Sequence, residues 1–189
     1  HLKASLPQLP IVMFTARDPF SQKVFIDKGG DSGIEPGAAV IDEAGVVGQV
    51  TRVFASMAEV TLLTDKDHAV PVMSERTGVR SVLYGAGAGR SLELRFIPPS
   101  ADIAAGDRLV TSGLDRTYPP GLAVARVDAV ERDTGQIFAR IACSPLAGVN
   151  RSGELLVLGR TAALPPRPDD PPTPDAARKP GRAKIRRGG

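Results

Sequence analysis

The chain has 189 residues, with 20 Gly, 17 Pro, one Cys and eight aromatic residues, none of them Trp. Hydrophobic residues make up 42% and charged residues 24%, an ordinary balance for a globular domain. No run approaches the roughly 20 apolar residues of a membrane-spanning helix, and a single cysteine, Cys143, excludes an intramolecular disulfide framework.

The net charge of +3 is unevenly spread. Residues 160–189 hold eight basic and three acidic residues, whereas residues 1–159 hold 16 basic and 18 acidic. The body is therefore slightly acidic, which argues against nucleic-acid capture by a basic face of the fold. The tail carries seven of the 17 prolines, six of them in Pro165-Pro166-Arg167-Pro168 and Pro171-Pro172-Thr173-Pro174. It has almost nothing to bury, and its composition predicts disorder. Its basic end, Lys184-Ile185-Arg186-Arg187, would add about 1 kcal/mol per basic residue to contact with an anionic lipid surface. The opening on His1, with no secretory signal, fits a processed piece of a longer protein.

Within the body, short apolar runs alternate with Gly, Pro and Asp, and no long 3.6-residue stripe appears. Strands are predicted at Val24-Phe25-Ile26, Ala39-Val40-Ile41, Gly45 to Val53, Val60 to Leu63, Ala69 to Met73 and Ser81 to Tyr84. Leu92, Leu94 and Phe96 alternate with Glu93 and Arg95, the period-2 signature of a half-buried strand. Leu109 to Thr111, Leu122 to Val130, Ile137 to Cys143 and Leu155 to Leu158 complete the series. Turn signals every 8–12 residues among β-branched runs fit an all-β sandwich or barrel.

An internal echo refines this. Ile34-Glu35-Pro36-Gly37 precedes Val40 and Gly45-Val46-Val47-Gly48-Gln49-Val50. Ile103-Ala104-Ala105-Gly106-Asp107 precedes Leu109-Val110 and Gly121 to Val127. Two similar β modules are expected: an N-terminal linker 1–15, a first barrel 16–77, a second barrel 78–159 and the Pro-rich basic tail 160–189. A strand of the first segment can also complete the second barrel. Glycines at these turns suit corners that need positive φ or close backbone approach.

Chemistry is sparse. The only internal histidine, His68, precedes Asp102, Asp107 and Ser112, the chain order of a chymotrypsin-like triad. The competing reading is therefore a trypsin-like serine hydrolase using Ser112, His68 and Asp102 or Asp107. Its nucleophile context, Thr111-Ser112-Gly113, is poor, and Asp31-Ser32-Gly33 lies before His68, where that fold cannot use it. One cysteine and one internal histidine cannot form an N/S zinc site, and Asp65 with Asp67 lacks the further oxygens of a calcium loop. No cofactor or metal is expected. Gly85-Ala86-Gly87-Ala88-Gly89-Arg90 leads into a strand rather than a helix, so it reads as a hairpin loop and not a phosphate cradle. The long connection Thr111 to Gly121 carries Leu114 and Tyr118 among turn residues, a composition suited to recognition. Alternatively, Tyr118 packs over a barrel end beside Pro119.

Linked motifs then carry a resemblance. Phe25-Ile26-Asp27-Lys28-Gly29, Gly33-Ile34-Glu35-Pro36-Gly37, Gly45 to Val50, Leu62-Leu63-Thr64-Asp65 and Val70-Pro71-Val72 come in the order and spacing of the bacterial rod shape-determining MreC family. So do Ile97 to Ile103, Gly106 to Leu114 and Tyr118-Pro119-Pro120-Gly121, giving coverage of residues 16–158. Gly37, Gly48, Gly106, Asp107, Gly113 and Gly121 are the turn residues of that pattern, and Ala125 departs from it where the family often has Gly. The resemblance implies two small β-barrels, loosely chymotrypsin-like but without a triad, with little helix. It implies a non-enzymatic periplasmic scaffold of the cell-elongation machinery, anchored to the inner membrane by a helix outside this chain. Implied partners are a second copy, as homodimer or filament, the elongation-class penicillin-binding transpeptidase, and other rod-complex membrane proteins. Through these it would reach the actin-like MreB filament, with no nucleic acid involved. Leu114 and Tyr118 are the partner-facing candidates, chosen from loop composition alone.

Overall fold

Short β-branched runs separated by turns build the described residues into strands. The computed structural model describes residues 14–18, 22–87, 90–115, 117–132, 135–148 and 154–159; the expectations for the N-terminal segment before Phe14 and for the tail lie outside these. The strands are β1 (Phe14–Asp18), β2 (Lys23–Ile26), β3 (Ala39–Ile41), β4 (Val46–Val53), β5 (Ala58–Leu62) and β6 (Ala69–Ser74). They continue with β7 (Arg80–Tyr84), β8 (Leu92–Arg95), β9 (Arg108–Thr111), β10 (Ala123–Glu131), β11 (Arg140–Pro145) and β12 (Leu156–Leu158). The helix among the described residues is one 3-10 turn, Gly30–Ser32. The fold is all-β.

Two antiparallel assemblies result. The first is a six-stranded sheet in the order β1-β2-β5-β4-β3-β12; the second is a closed barrel in the order β10-β11-β8-β7-β6-β9, with β9 pairing back onto β10. The sheets divide the chain differently from the expected boundary at residues 77 and 78. β6 lies in the barrel, where Val70 and Val72 are fully buried, and β12 returns from the C-terminal side to pair β3 of the first sheet. Burial decides this placement, because Leu158 packs in the barrel's apolar cluster while Val157 packs in that of the first sheet. A strand of the first segment does complete the second barrel.

Three local expectations also change. β1 carries no clean alternation and has a register shift between Phe14 and Ala16, so it escaped the periodicity argument. Strand β11 begins at Arg140, leaving Ile137 and Phe138 exposed on the approach to it. β8 alternates as expected through buried Leu92 and Leu94 but stops at Arg95, because Phe96 takes φ 62° and turns its ring outward.

The internal echo is a structural repeat. In the first module Gly37 N–H donates to Val50 O at 2.8 Å and Val50 N–H donates to Ala38 O at 2.9 Å. In the second, Gly106 N–H donates to Val127 O at 2.8 Å and Val127 N–H donates to Asp107 O at 2.9 Å. Both glycines have left-handed φ, 86° and 92°, which lets the chain reverse into β3 and β9 respectively. Apolar Ile34 and Ile103 sit buried just before each turn.

The modules are fused through their cores. Ala39, Val46, Leu63 and Leu158 of the first sheet and its flanks belong to the same cluster as Val70, Leu83, Leu94, Val124 and Ile141 of the barrel. Asp42 fastens the junction by accepting Gly148 N–H at 2.6 Å across the modules, and Ala44 and Gly45 N–H locally at 2.8 Å.

Candidate interaction surfaces

The β9–β10 connection is tightly tied to the barrel. Ser112 N–H donates to Pro71 O at 3.0 Å, Gly121 N–H to Thr111 O at 2.9 Å, and Leu122 N–H to the Thr111 hydroxyl at 3.0 Å. The Asp115 carboxylate accepts the Thr117 and Tyr118 N–H groups at 3.2 and 3.4 Å, shaping the bend between them. Gly113 (φ 73°) and Gly121 (φ 87°) supply the left-handed corners.

This ordering separates the two partner-facing candidates. Leu114 stands at the outer corner, 62% exposed. Tyr118 is only 2% exposed, so it does not face a partner; it is an anchor. Its hydroxyl is 2.9 Å from His68 Nε2, and the rings meet edge-to-face with centroids 6.5 Å apart. The loop needs one large side chain to bind it to the body, and the partly polar Tyr118 finds its partner on the Thr64–His68 turn. Burial pushes the Tyr118 hydroxyl pKa up, with the Asp115 charge adding to it, and burial holds His68 below the ordinary imidazole value.

Of the remaining turn residues of the pattern, Asp107 is the most heavily bonded. The Asp107 carboxylate accepts Ala104 N–H at 3.0 Å and a bidentate contact from Arg76, Nε at 2.7 Å and the guanidinium NH2 at 2.9 Å. Arg76 also grips Asp102, at 3.0 Å to each oxygen. The guanidinium holds both carboxyls below their usual range. Arg132, from the end of β10, donates to the carbonyls of Pro99 and Ile103 in the same stretch. Two arginines thus fix the β8–β9 connection to the strands on either side. Gly48, in mid-strand, serves close approach: a Cβ there would lie 2.1 Å from Thr61 O.

A hydrolase triad is not assembled. His68 Nε2 faces Tyr118, Asp102 and Asp107 are engaged by Arg76, and the buried Ser112 Oγ has no hydrogen-bond partner. Nucleophile, base and orienting carboxylate make none of the mutual contacts the chemistry uses. Cys143 is fully buried, and burial pushes its thiol up to about 12, which makes it inert as a nucleophile near neutrality.

Two apolar surfaces escaped the sequence reading. Phe54 and Met57 are exposed on the β4–β5 hairpin. On the barrel, Phe96 is 60% and Phe138 45% exposed, with Ile137 at 81% beside them. Their signal was present as apolar residues inside predicted strands, and only the strand ends at Arg95 and before Arg140 put them outside.

Comparison with known proteins matches this architecture. Residues 12–159 match the family model of the rod shape-determining protein MreC, barrel core. The chain belongs to the MreC family. MreC of Escherichia coli K12 is 40% identical over 162 residues, covering 84% of this chain and 44% of that protein. The Haemophilus influenzae MreC is 40% identical over 147 residues, 78% of this chain and 42% of that protein. The chain thus spans under half the length of these MreC relatives. The crystal structure of MreC from Pseudomonas aeruginosa superposes with a TM-score of 0.75 at 42% identity, covering 78% of this chain and 96% of that one. MreC in a complex with the penicillin-binding protein PBP2 of Helicobacter pylori shares the fold, with a TM-score of 0.63 at 20% identity. The MreC motifs read along the sequence, from Phe25-Ile26-Asp27 to Tyr118-Pro119-Pro120-Gly121, therefore mark a true family member.

Proposed function

We propose that this chain is the barrel part of a non-enzymatic cell-shape scaffold that acts in the periplasm, held to the inner membrane by a segment before the barrels. It binds and activates peptidoglycan-synthesis enzymes, above all the elongation-class penicillin-binding transpeptidase, and self-associates. The observation that carries this reading is the MreC barrel-core match over residues 12–159. It is supported by the Helicobacter pylori relative bound to PBP2 and by a further 20% identical MreC described as a cell shape-determining filament. Activation follows if the barrel prefers one pre-existing state of the transpeptidase and shifts its population.

Leu114 is the residue of the β9–β10 connection that would meet the partner. An exposed apolar side chain on a firmly held loop presents surface with little ordering entropy left to lose on binding. The test is a titration of the full chain against the periplasmic part of the transpeptidase from the same organism. Saturable binding at micromolar concentrations is expected, with Leu114→Asp weakening it about tenfold, or about 1.4 kcal/mol. Unchanged affinity in that variant moves the interface elsewhere, and no binding up to roughly 100 μM overturns the partner assignment. A serine-directed fluorophosphonate probe is expected to leave the chain unlabelled; labelling lost in Ser112→Ala would instead establish a hydrolase.

A further inference from the structure

The outer face of the barrel carries a groove of about 650 Å³ that the scaffold reading does not use. Its shape follows from the strand register. Tyr84, Glu93, Ala142 and Ala129 form one row across β7, β8, β11 and β10, and the two alanines leave a depression between longer neighbours. Arg95, Arg140, Gln136 and Glu131 stand along its sides. Arg90 lies before the start of β8, and Phe96 with Phe138 lies beyond its end.

Two independent observations single this groove out. The first is Phe96, the one non-glycine residue with positive φ among those described, at 62°. Ile141 pairs Leu94, yet Ala139 N–H donates to Ile97 O at 2.8 Å, so β8 holds one residue more than β11 across this step. Such a bulge re-aims a side chain. Here it turns the Phe96 ring outward, 60% exposed, to meet Phe138 edge-on with centroids 5.8 Å apart. A bulky residue seldom adopts left-handed φ, so the fold holds this ring in the open against a local preference. The second observation is charge. The same register brings Arg140 beside Arg95, and like charges side by side oppose pairing. Arg95 is already engaged, by Glu93 at 2.9 Å and over the Tyr84 ring at 4.5 Å. The Arg90 and Arg140 guanidinium groups have no hydrogen bond or ion pair among the described residues, although Glu131 pairs Arg140 in the ladder.

Free guanidinium groups beside exposed aromatic rings call for an anion with a flat apolar face. The barrel is closed, so it offers no free edge to an added peptide strand. Its alanine floor and polar walls give an amphipathic helix no apolar trough. A sugar ring suits both halves of the groove. Its C–H face covers an aromatic ring, and its hydroxyls meet guanidinium, amide and carboxylate groups that between them donate and accept. A carboxylate on the sugar meets the planar fork of Arg140. The volume is that of an ordinary small-molecule site, enough for a few linked rings.

We propose that this face of the barrel binds an acidic oligosaccharide, with Phe96 and Phe138 as its stacking platform and Arg140 as the receptor for its carboxylate. This stands independently of the scaffold reading.

The experiment titrates the full chain with tetragalacturonate, with neutral cellotetraose and with a tetraglutamate peptide, and follows amide resonances. Tetragalacturonate is expected to shift Phe96, Phe138 and Arg140 saturably at millimolar concentration or below, and the other two to leave them in place. Phe96→Gly is expected to weaken this binding about tenfold while leaving the urea midpoint equal or higher, because glycine takes this φ freely. Arg140→Gln is expected to weaken it to a similar degree, with resonances of the buried Leu83 and Val124 reporting an intact barrel. Equal shifts from tetraglutamate would make the groove a site for acidic peptides or anions in general, and equal shifts from cellotetraose would remove the carboxylate from recognition; either overturns the proposal. So do shifts confined to the basic residues of 178–187, no shifts at all, or unchanged affinity in both variants.

Discussion

Tyr118 and His68 illustrate how one side-chain pair decides what a loop does. Each would be costly to bury alone, and their 2.9 Å contact satisfies both. Tyr118→Phe leaves His68 Nε2 unpaired in the interior and is expected to lower stability by about 1–3 kcal/mol in denaturant unfolding. The pair also sets a pH response. With its folded pKa below the ordinary 6.5, His68 takes up a proton more readily in the unfolded chain. Stability is therefore full above about pH 6.5 and falls as pH drops from there toward the folded value, by at most about 1.4 kcal/mol per pH unit. Asp102, Asp107 and Glu59, whose carboxyls are all held low, respond near and below their ordinary 3.8 and 4.5, so urea midpoints between pH 7.5 and 5.5 isolate the histidine. His68→Gln is expected to flatten that slope; an unchanged slope would assign it to another group. Gly48 is the opposite case, a residue defined by having no side chain. Gly48→Ala drives a methyl into Thr61 O of the neighbouring strand and is expected to destabilise by about 2 kcal/mol or more.

Among elements, the β8–β9 connection is the most heavily braced. It runs from Phe96 to Asp107, without regular structure, and ordering a stretch of that length opposes folding. Arg76 from the β6–β7 turn and Arg132 from the end of β10 satisfy its carbonyls and carboxyls from two sides. Arg76→Gln is expected to return the Asp107 carboxyl toward its ordinary range, read as an upward shift in a carbon-13 titration of that side chain. No shift would mean that Ala104 N–H and the backbone hold it low unaided. The Gly37 and Gly106 corners carried a sequence signal because only their glycines suit φ near 90°, and the equivalent backbone hydrogen bonds follow from them. The arginine brace carried none: Arg76 and Asp107 are 31 residues apart, and nothing in either's neighbours points to the other.

At the scale of the whole molecule, two cores are joined where the barrel's cluster extends into the first sheet. Ala39, Val46, Leu63 and Leu158 extend the barrel cluster into the first sheet, Gly45 packs against the Ala123 carbonyl, and Asp42 reaches Gly148. Coupled this way, the modules are expected to unfold together. Urea transitions by far-ultraviolet dichroism, which reports all strands, and by fluorescence of Tyr84 and Tyr118, which lie in the barrel module, should coincide. Separated transitions would show that the shared contacts are too weak to couple them. Leu158→Ala is expected to cost about 2–4 kcal/mol and to lower both probes' midpoints equally.

The sequence by itself determined the all-β class, eleven of the twelve strands, the repeat and the family. All of these rest on local signals: period-2 burial, β-branched runs, glycines where the backbone must turn left-handed, and linked short motifs. Tertiary structure alone decided what depends on contacts distant in the chain. It gave β6 to the barrel and β12 to the first sheet, because side chains on these short strands fill cores built by strands far away in sequence. It buried Tyr118 while leaving Leu114 outside, since composition marks a loop as special without saying which side chain faces inward. It also turned Phe96 out of its alternation, because a strand ends where its pairing ends, and that position is fixed by the partner strands and not by the residues themselves.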